Sequence, residues 1–453
     1  MTHSFEFETR INHKGQAGHY WMRQQSLSEA FCLALSPRMA DLLDVSMAIY
    51  AADRQSPRNH AGARTGRRAI EVRVGLREPG HWSSKRVNEK LLELLSWLTE
   101  DAWSFEFVAR KAPPTIAESA QFLFPLPPTA PVSVALFSGG LDSLAGLALH
   151  AREQPARSYA LVSGYTHSRL ALQQRDLVAH VRKSFRQNKL TTSEAEIRHV
   201  AVPFGIYKYA NLREERSQRS RSLVFLAIGA TAALQASSDT LHVYENGVGA
   251  LNLPQDDTQL GVDNYRGVHP RSLMMASDLF EVALEQPFRI KNPCLFQTKG
   301  EMCQALYPLG LLRSVAETTS CDGFPQRAPQ PQCGYCTSCV LRRQALYVAG
   351  IQDSEMIRDV YRHDVFGGRA DLTAEQSDGF ASMRNQARRI ADCLATQSPW
   401  NSLVAAFPEL LRTHCEFVAR GVQPGRVRAG IIRLLRTYAL EWERLPADLA
   451  LAA

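Results

Sequence analysis

Apolar runs of strand length alternate with helix-length segments through the middle of the chain. The strand-like runs are VSVALF, SYALVSG, EIRHVAVPF and TLHVYEN, and the segments between them cover 141–153, 168–186 and 217–236. This alternation is typical of a parallel sheet wrapped by helices. We therefore predict a doubly wound α/β domain that binds its ligand beyond the carboxyl ends of its strands.

The two ends of the chain have different patterns. Alternating runs at 69–76 and 103–110, with a helical pattern at 88–101, predict a small N-terminal α+β domain. The proline-rich stretch FPLPPTAPVS at 124–133 predicts a linker, because proline fixes φ and disfavours helix in the preceding residue. Beyond about residue 350 the pattern is helical and carries no dense chemical cluster. The predicted domains are 1–125, 126–350 and 351–453.

Composition narrows the class of protein. Hydrophobic residues make up 45% and charged residues 21% of the 453, which are ordinary globular values. The net charge of +7 is spread along the chain, so we expect no nucleic-acid partner, although basic stretches at 54–68 and 213–222 could bind phosphate or be solvated surface. The apolar run 223–234 is shorter than the roughly 18 residues that a membrane span needs and predicts a buried helix. With no secretory signal, we expect a cytoplasmic protein without a membrane partner.

The loop after the first central strand carries groups suited to phosphate. In VALFSGGLDSLAGLAL (134–149), Gly139 and Gly140 allow backbone N–H groups to point at oxygens, and Ser138 and Ser143 add hydroxyl donors. A helix starting near Asp142 directs its positive end to the same place. No lysine follows the glycines, so this is not the Walker type. The carboxylate of Asp142 could support Mg²⁺ or cap the helix.

Nine cysteines in a chain without a secretory signal indicate thiols or metal ligands rather than disulfides. Cys333, Cys336 and Cys339 form C-x2-C-x2-C, and Cys321 would complete a shell of four thiolates. Such a closed tetrahedral shell predicts structural Zn²⁺, with an iron–sulfur cluster as the alternative. The isolated cysteines are expected to be core thiols; these are Cys32, Cys294, Cys303, Cys393 and Cys415.

The string SGGLDS resembles the PP-loop of ATP pyrophosphatases, which cleave ATP to AMP and pyrophosphate. Together with the cysteine group about 180 residues later, it makes residues 132–348 resemble the QueC family of 7-cyano-7-deazaguanine (preQ0) synthases. The resemblance implies a Rossmann-like PP-loop fold, with ATP and Mg²⁺ as cofactors and structural Zn²⁺. It assigns cofactor binding to Ser138, Gly139, Gly140, Leu141, Asp142, Ser143 and His167.

Three further stretches carry the resemblance. RSLVFLAIGATAA is similar to the family's R-N-x-x-F-L segment and places Arg221 at the arginine, with Ser222 where asparagine is usual. GYTH pairs His167 with the histidine of Y-G-Q-x-H, and NPCLFQTKGEM resembles P-x-x-x-x-T-K-x-E, which places Lys299 at the lysine. Arg221 could instead be a surface cation, and Lys299 an ordinary helix-start charge. The resemblance assigns catalysis to Ser138, Asp142, Ser143, Arg221 and Lys299.

The chain also departs from the family. Where QueC has G-V-N-A-V-D-Y-S-G-Y-P-D-C-R, segment 247–273 places Asn252 at the first aspartate and lacks the S-G-Y-P-D-C-R string, so we expect a remodelled nucleobase site. The additional N- and C-terminal regions resemble the QueC-like proteins of bacterial anti-phage systems, especially QatC of the Qat system. That resemblance implies transfer of a deazapurine to an amine of a partner protein encoded nearby.

These observations predict an adenylating amide ligase that activates a 7-deazapurine carboxylate such as 7-carboxy-7-deazaguanine. The acceptor could be a partner protein's amine or ammonia. A tRNA-thiolation enzyme would need a cysteine of low pKa in the ATP cleft, and a non-catalytic defence scaffold would tolerate loss of Asp142. The sequence leaves the acceptor and the oligomeric state open.

Overall fold

The computed structural model describes most of the chain. The described residues are 2–7, 20–58, 67–122, 131–207, 214–215, 217–255, 265–325, 332–351, 361–363 and 373–445. Most of the predicted linker and the centre of the basic stretch at 54–68 lie outside these residues.

The elements follow the predicted alternation closely. The strands are β1 Thr2–Phe7, β2 Tyr20–Met22, β3 Ala69–Leu76, β4 Ala102–Ala109, β5 Val132–Leu136, β6 Ser158–Tyr165, β7 Ile197–Ile206, β8 Thr240–Val243 and β9 Arg289–Lys291. The helices up to the cysteine segment are α1 Gln25–Phe31, α2 Pro37–Gln55, α3 Pro79–Trp82, α4 Lys85–Thr99, α5 Ile116–Ser119, α6 Leu141–Glu153, α7 Ser168–Gln187, α8 Arg221–Gln235, α9 Gly247–Leu251, α10 Pro270–Leu284, α11 Lys299–Gln304 and α12 Leu312–Ala316. The remaining helices are α13 Thr337–Val348, α14 Ala374–Leu394, α15 Pro399–Ala406, α16 Glu409–Ala419 and α17 Pro424–Glu443.

The central sheet has the strand order β2-β7-β6-β5-β8-β9. Strands β5 to β9 are parallel, and β2 joins the edge antiparallel to β7. The chain winds from β5 outward to β7 and then returns to β8 and β9 on the other side, which confirms the doubly wound α/β prediction. The strand order reverses between β5 and β8, and such a switch point opens a crevice at the carboxyl ends of the two strands.

Apolar layers cover both faces of this sheet. On β5, Val134 packs into a core shared with α8, and its neighbour Ala135 packs into a second core with α6 and α7. Successive strand residues point to opposite faces, so continuous apolar runs such as VSVAL are buried on both sides. The predicted buried helix at 223–234 is confirmed, because α8 lies between the sheet and α2 and is buried along most of its length.

The N-terminal region shares the core of the central sheet. Its strands β1, β3 and β4 form a separate parallel sheet, whereas β2 extends the central one. The carboxylate of Asp53 on α2 is buried; it pairs with Arg68 at 2.6 Å and accepts hydrogen bonds from the backbone and hydroxyl of Ser220. This contact fixes the start of α8. The proposed boundaries at 125 and 350 remain predictions.

The C-terminal region is helical, as predicted. Helices α14 and α17 pack together and bury a third core that also includes Leu251, Leu253, Val340 and Leu341 of the central domain. The C-terminal helices are therefore packed against the same end of the molecule as α9 and α13. Among the helices that the structure describes, none is long and apolar enough to cross a membrane.

Candidate active site

The SGGLDS loop leaves the end of β5 and turns directly into α6. The hydroxyl of Ser138 lies 2.9 Å from that of Ser143 and accepts a hydrogen bond from the Gly140 N–H at 3.1 Å. Gly139 has a φ of +84°, and its carbonyl accepts hydrogen bonds from the Gln173 side chain and the Thr319 N–H, both at 3.0 Å. A left-handed φ favours glycine, which explains the residue at this position.

Asp142 does not cap α6, so the predicted capping role is wrong. Gly140 is the N-cap residue, and the carboxylate of Asp142 instead forms an ion pair with the Lys299 ammonium at 2.8 Å. The side chain of Lys299 is only 6% exposed. Lys299 is the first residue of α11, as the alternative of a helix-start charge supposed, but it is buried in the site. Thr298 holds this helix start in a capping box with Glu301.

Electrostatics favour the charged form of Lys299. Burial alone would lower its pKa, but the carboxylates of Asp142 and Glu245 outweigh burial and keep the pKa above its ordinary value. The lysine therefore remains a cation beside the loop. A cation at this position suits the negative charge of a leaving pyrophosphate.

Glu245 and Asn246 belong to the site and were missed by the sequence reasoning. They follow β8, the strand beside β5 at the switch point. The Asn246 amide donates to Glu245 at 2.9 Å and, at 3.5 Å, to Asp142. Burial and the neighbouring charge of Asp142 raise the pKa of Glu245 to about 8. Their position directly after the TLHVY run was the signal that could have identified them.

The SGGLDS loop, Lys299 and Glu245 line one cavity of about 890 Å³. Its lining includes most of the predicted site residues, namely Ser138, Gly140, Leu141, Asp142, Ser143, Arg221 and Lys299. Arg221, at the start of α8, donates to Gln218 at 2.6 Å and lies over the ring of Phe225 at 5.2 Å. Arg221 therefore borders the cavity, which favours the prediction of a site residue over the alternative of a surface cation.

Two predicted residues are not among those lining the cavity. Gly139 contributes its backbone to the loop but faces Gln173, whose side-chain oxygen would lie 2.4 Å from an added Cβ. His167 is the N-cap residue of α7, where its Nδ1 accepts from the Arg169 N–H at 3.1 Å. A cofactor role for His167 remains a prediction.

The four predicted cysteines converge. The sulfur atoms of Cys321, Cys333, Cys336 and Cys339 all lie within 4.8 Å of one another. The Cys333 and Cys339 sulfurs are 3.9 Å apart, close to the spacing of about 3.8 Å that tetrahedral zinc–sulfur bonds require. Backbone N–H groups of Cys333 and Cys336 point at sulfur atoms of the cluster, as suits thiolates. The cluster can hold one structural zinc ion.

The cysteine segment also supports the phosphate loop. The buried guanidinium of Arg342, three residues after Cys339, donates to the hydroxyl of Thr318 at 2.6 Å and to the carbonyl of Val315 at 2.8 Å. Thr319, which follows Thr318, donates its backbone N–H to the carbonyl of Gly139. A metal in the cluster would therefore hold the polypeptide that touches the loop.

The comparisons with known proteins agree with the site. The SGGLDS turn lies at the switch point of a doubly wound sheet, beside a cavity, which fits the resemblance to PP-loop ATP pyrophosphatases. Residues 132–350 match the family model described as "Queuosine biosynthesis protein QueC". The chain is similar to the 7-cyano-7-deazaguanine synthase of Hahella chejuensis, with 26% identity over 223 residues that cover 47% of this chain and 87% of that protein. These findings support a QueC-like domain in the predicted region.

Proposed function

We propose that this protein is an AMP-forming enzyme that adenylates a 7-deazapurine carboxylate, such as 7-carboxy-7-deazaguanine, and transfers the acyl group to an amine. One observation carries the proposal: the SGGLDS loop, the Asp142–Lys299 pair and Arg221 border the same cavity. The similarity to a 7-cyano-7-deazaguanine synthase supports the substrate class.

The loop is suited to binding the phosphates of ATP. The hydroxyls of Ser138 and Ser143 and the N-terminal end of α6 supply donors for phosphate oxygens. Lys299 adds a fixed cation, which stabilises negative charge better in a buried site than in water.

The adjacent carboxylates fit Mg²⁺. Asp142 and Glu245 both border the cavity, and carboxylate oxygens are the ligands that Mg²⁺ takes in phosphate sites. Because the pKa of Glu245 is raised to about 8, binding of the ion would displace its proton. When bound, the ion would neutralise phosphate charge. Asn246 orients both carboxylates through its amide.

The proposed reaction has two steps. A carboxylate oxygen of the substrate attacks the α-phosphorus of ATP, and the bond to the pyrophosphate oxygen breaks. The amine nitrogen then attacks the acyl carbon, AMP leaves, and the nitrogen loses a proton to give the amide. The protein accelerates both steps by positioning the reactants and stabilising the leaving groups.

We propose a partner protein's amine as the acceptor and anti-phage defence as the setting, by the resemblance to QatC. Helix α14, outside the QueC match, contributes Met383 and Gln386 to the cavity, so an added region forms part of the site. Ammonia is the second acceptor, favoured by the name of the Hahella relative. A thiolation enzyme fits less well, because no cysteine is found among the described residues lining the cavity, and burial raises the pKa of Cys294 and Cys303 to about 12.

Acceptor identity can be tested with purified protein, Mg-ATP and 7-carboxy-7-deazaguanine. AMP formation would be compared with ammonia and with proteins encoded by neighbouring genes, and intact-mass spectrometry would detect a conjugate. We expect a mass shift on one of those proteins that is lost with Asp142→Asn. AMP formation only with ammonia would indicate a preQ0 synthase. Phage protection that survives Asp142→Ala would instead support a scaffold.

A further inference from the structure

One part of the cavity wall is a polar corner formed around the start of α8. Ser222, the second residue of α8, lines the cavity and is only 4% exposed, and its hydroxyl has no hydrogen-bond partner among the described residues. The Nε–H of the preceding Arg221 is likewise buried and unpartnered within that part of the chain. Buried polar groups in folded proteins are nearly always paired, so this corner has the chemistry of a ligand site.

Tyr265 and Gly267 complete the corner. A Cβ added to Gly267 would lie 2.6 Å from the Tyr265 hydroxyl oxygen and 2.8 Å from the Ser222 Cβ. The side chains of Tyr265 and Ser222 therefore both pack closely against Gly267, and any larger residue there would displace them. All three residues border the cavity.

The neighbouring backbone fixes Tyr265 in this position. The Asn252 amide donates to the Tyr265 carbonyl at 3.1 Å. Asn252 stands where the family has aspartate, so in this chain its amide holds the corner together. The two residues after Asn252 are held by the C-terminal region. The Gln386 amide donates to the carbonyls of Leu253 and Pro254 at 2.6 and 3.1 Å.

We propose that Ser222 and Tyr265, with Arg221, form the subsite that binds the hydrogen-bonding edge of the heterocyclic substrate. This inference rests on the proposed function for the identity of the substrate. The proposal assigns substrate specificity to Ser222, which stands where the family has asparagine, and to Tyr265, which lies in the segment 247–273 that departs from the family. The phosphate loop borders the same cavity, so the carboxylate of a heterocycle held in this subsite would share the cavity with ATP.

Direct binding tests the subsite without requiring turnover. Isothermal titration calorimetry would measure the affinity of the full chain for 7-carboxy-7-deazaguanine, and separately for ATP. Loss of one neutral hydrogen bond in Ser222→Ala or Tyr265→Phe should weaken heterocycle binding about fivefold to tenfold. Gly267→Ala, whose Cβ would displace Tyr265 and Ser222, should weaken it by more than about tenfold. The affinity for ATP should be unchanged in all three.

Thr231→Ala is the matched control. It removes a buried hydroxyl from the same helix, but that hydroxyl is bonded to the Ala227 carbonyl. It should leave heterocycle affinity unchanged, and thermal unfolding would verify that each variant is folded. Equal binding by wild type, Ser222→Ala and Gly267→Ala would overturn the subsite, as would no binding by wild type. Heterocycle binding that depends on Ser222, in a protein that never forms AMP, would preserve the subsite and refute the proposed function.

Discussion

Replacing Lys299 by methionine should destabilise the fold in a way that depends on pH. The ammonium lies 2.8 Å from Asp142, and the two side chains are 6% and 13% exposed. At an effective dielectric constant of about 20 this pair attracts by about 6 kcal/mol, part of which desolvation cancels. Breaking a buried pair leaves an uncompensated charge, so we expect a loss of about 3 kcal/mol in the free energy of unfolding near pH 8.

The loss should be smaller at pH 5. The charge of Lys299 lowers the pKa of Glu245, so without the lysine this pKa rises further, and the folded variant binds that proton more tightly than the unfolded chain. Its stability then falls as pH increases, and the difference from wild type widens. Urea unfolding at both pH values measures this difference, and Asp142→Asn combined with Lys299→Met should recover about half of the loss. A destabilisation below about 1 kcal/mol at both pH values would refute the buried ion pair.

Three further predictions concern the loop, the metal cluster and the C-terminal helix. Gly139→Ala places a Cβ against the Gln173 side chain at a residue whose φ is +84°. This variant should weaken ATP binding about tenfold or more in calorimetry. The control Gly425→Ala, which adds a Cβ in open space, should bind ATP as the wild type does. Cys333→Ser should lose bound zinc, measured by elemental analysis of the purified protein, and the exposed Cys415→Ser should retain it. Burial raises the pKa of Glu441 from 4.5 to about 7, so its stabilising contribution is complete below pH 4.5 and is lost as pH rises through 7. Glu441→Gln should therefore gain stability relative to wild type between pH 5 and 8 in urea unfolding, and an unchanged difference would contradict the assignment.

The sequence predicted the central fold because its signals are local. Strand β5 and helix α6 lie where the apolar run and the 141–153 pattern placed them. The phosphate loop and the cysteine cluster could also be predicted, since each depends on residues that lie close together in the chain. The edge strand β2 was not predicted, because its three residues pair only through tertiary contact with β7.

The remaining site residues depend on contacts between distant segments. Glu245 joins the site because β8 returns to lie beside β5, and Asp142 pairs with Lys299, which lies far along the chain. Met383 enters the cavity from a helical region whose sequence shows only a packing pattern. None of these contacts leaves a periodic signal in the sequence.

Adenylation of a carboxylate at the loop can be measured by pyrophosphate exchange. Labelled pyrophosphate is incubated with wild-type protein, Mg-ATP and 7-carboxy-7-deazaguanine, without any amine. We predict label in ATP that requires the carboxylate and disappears with Asp142→Asn, while Glu153→Gln, at the exposed far end of the same helix, exchanges normally. Exchange that does not need the carboxylate, or ATP cleavage to ADP and phosphate instead, would contradict the claim.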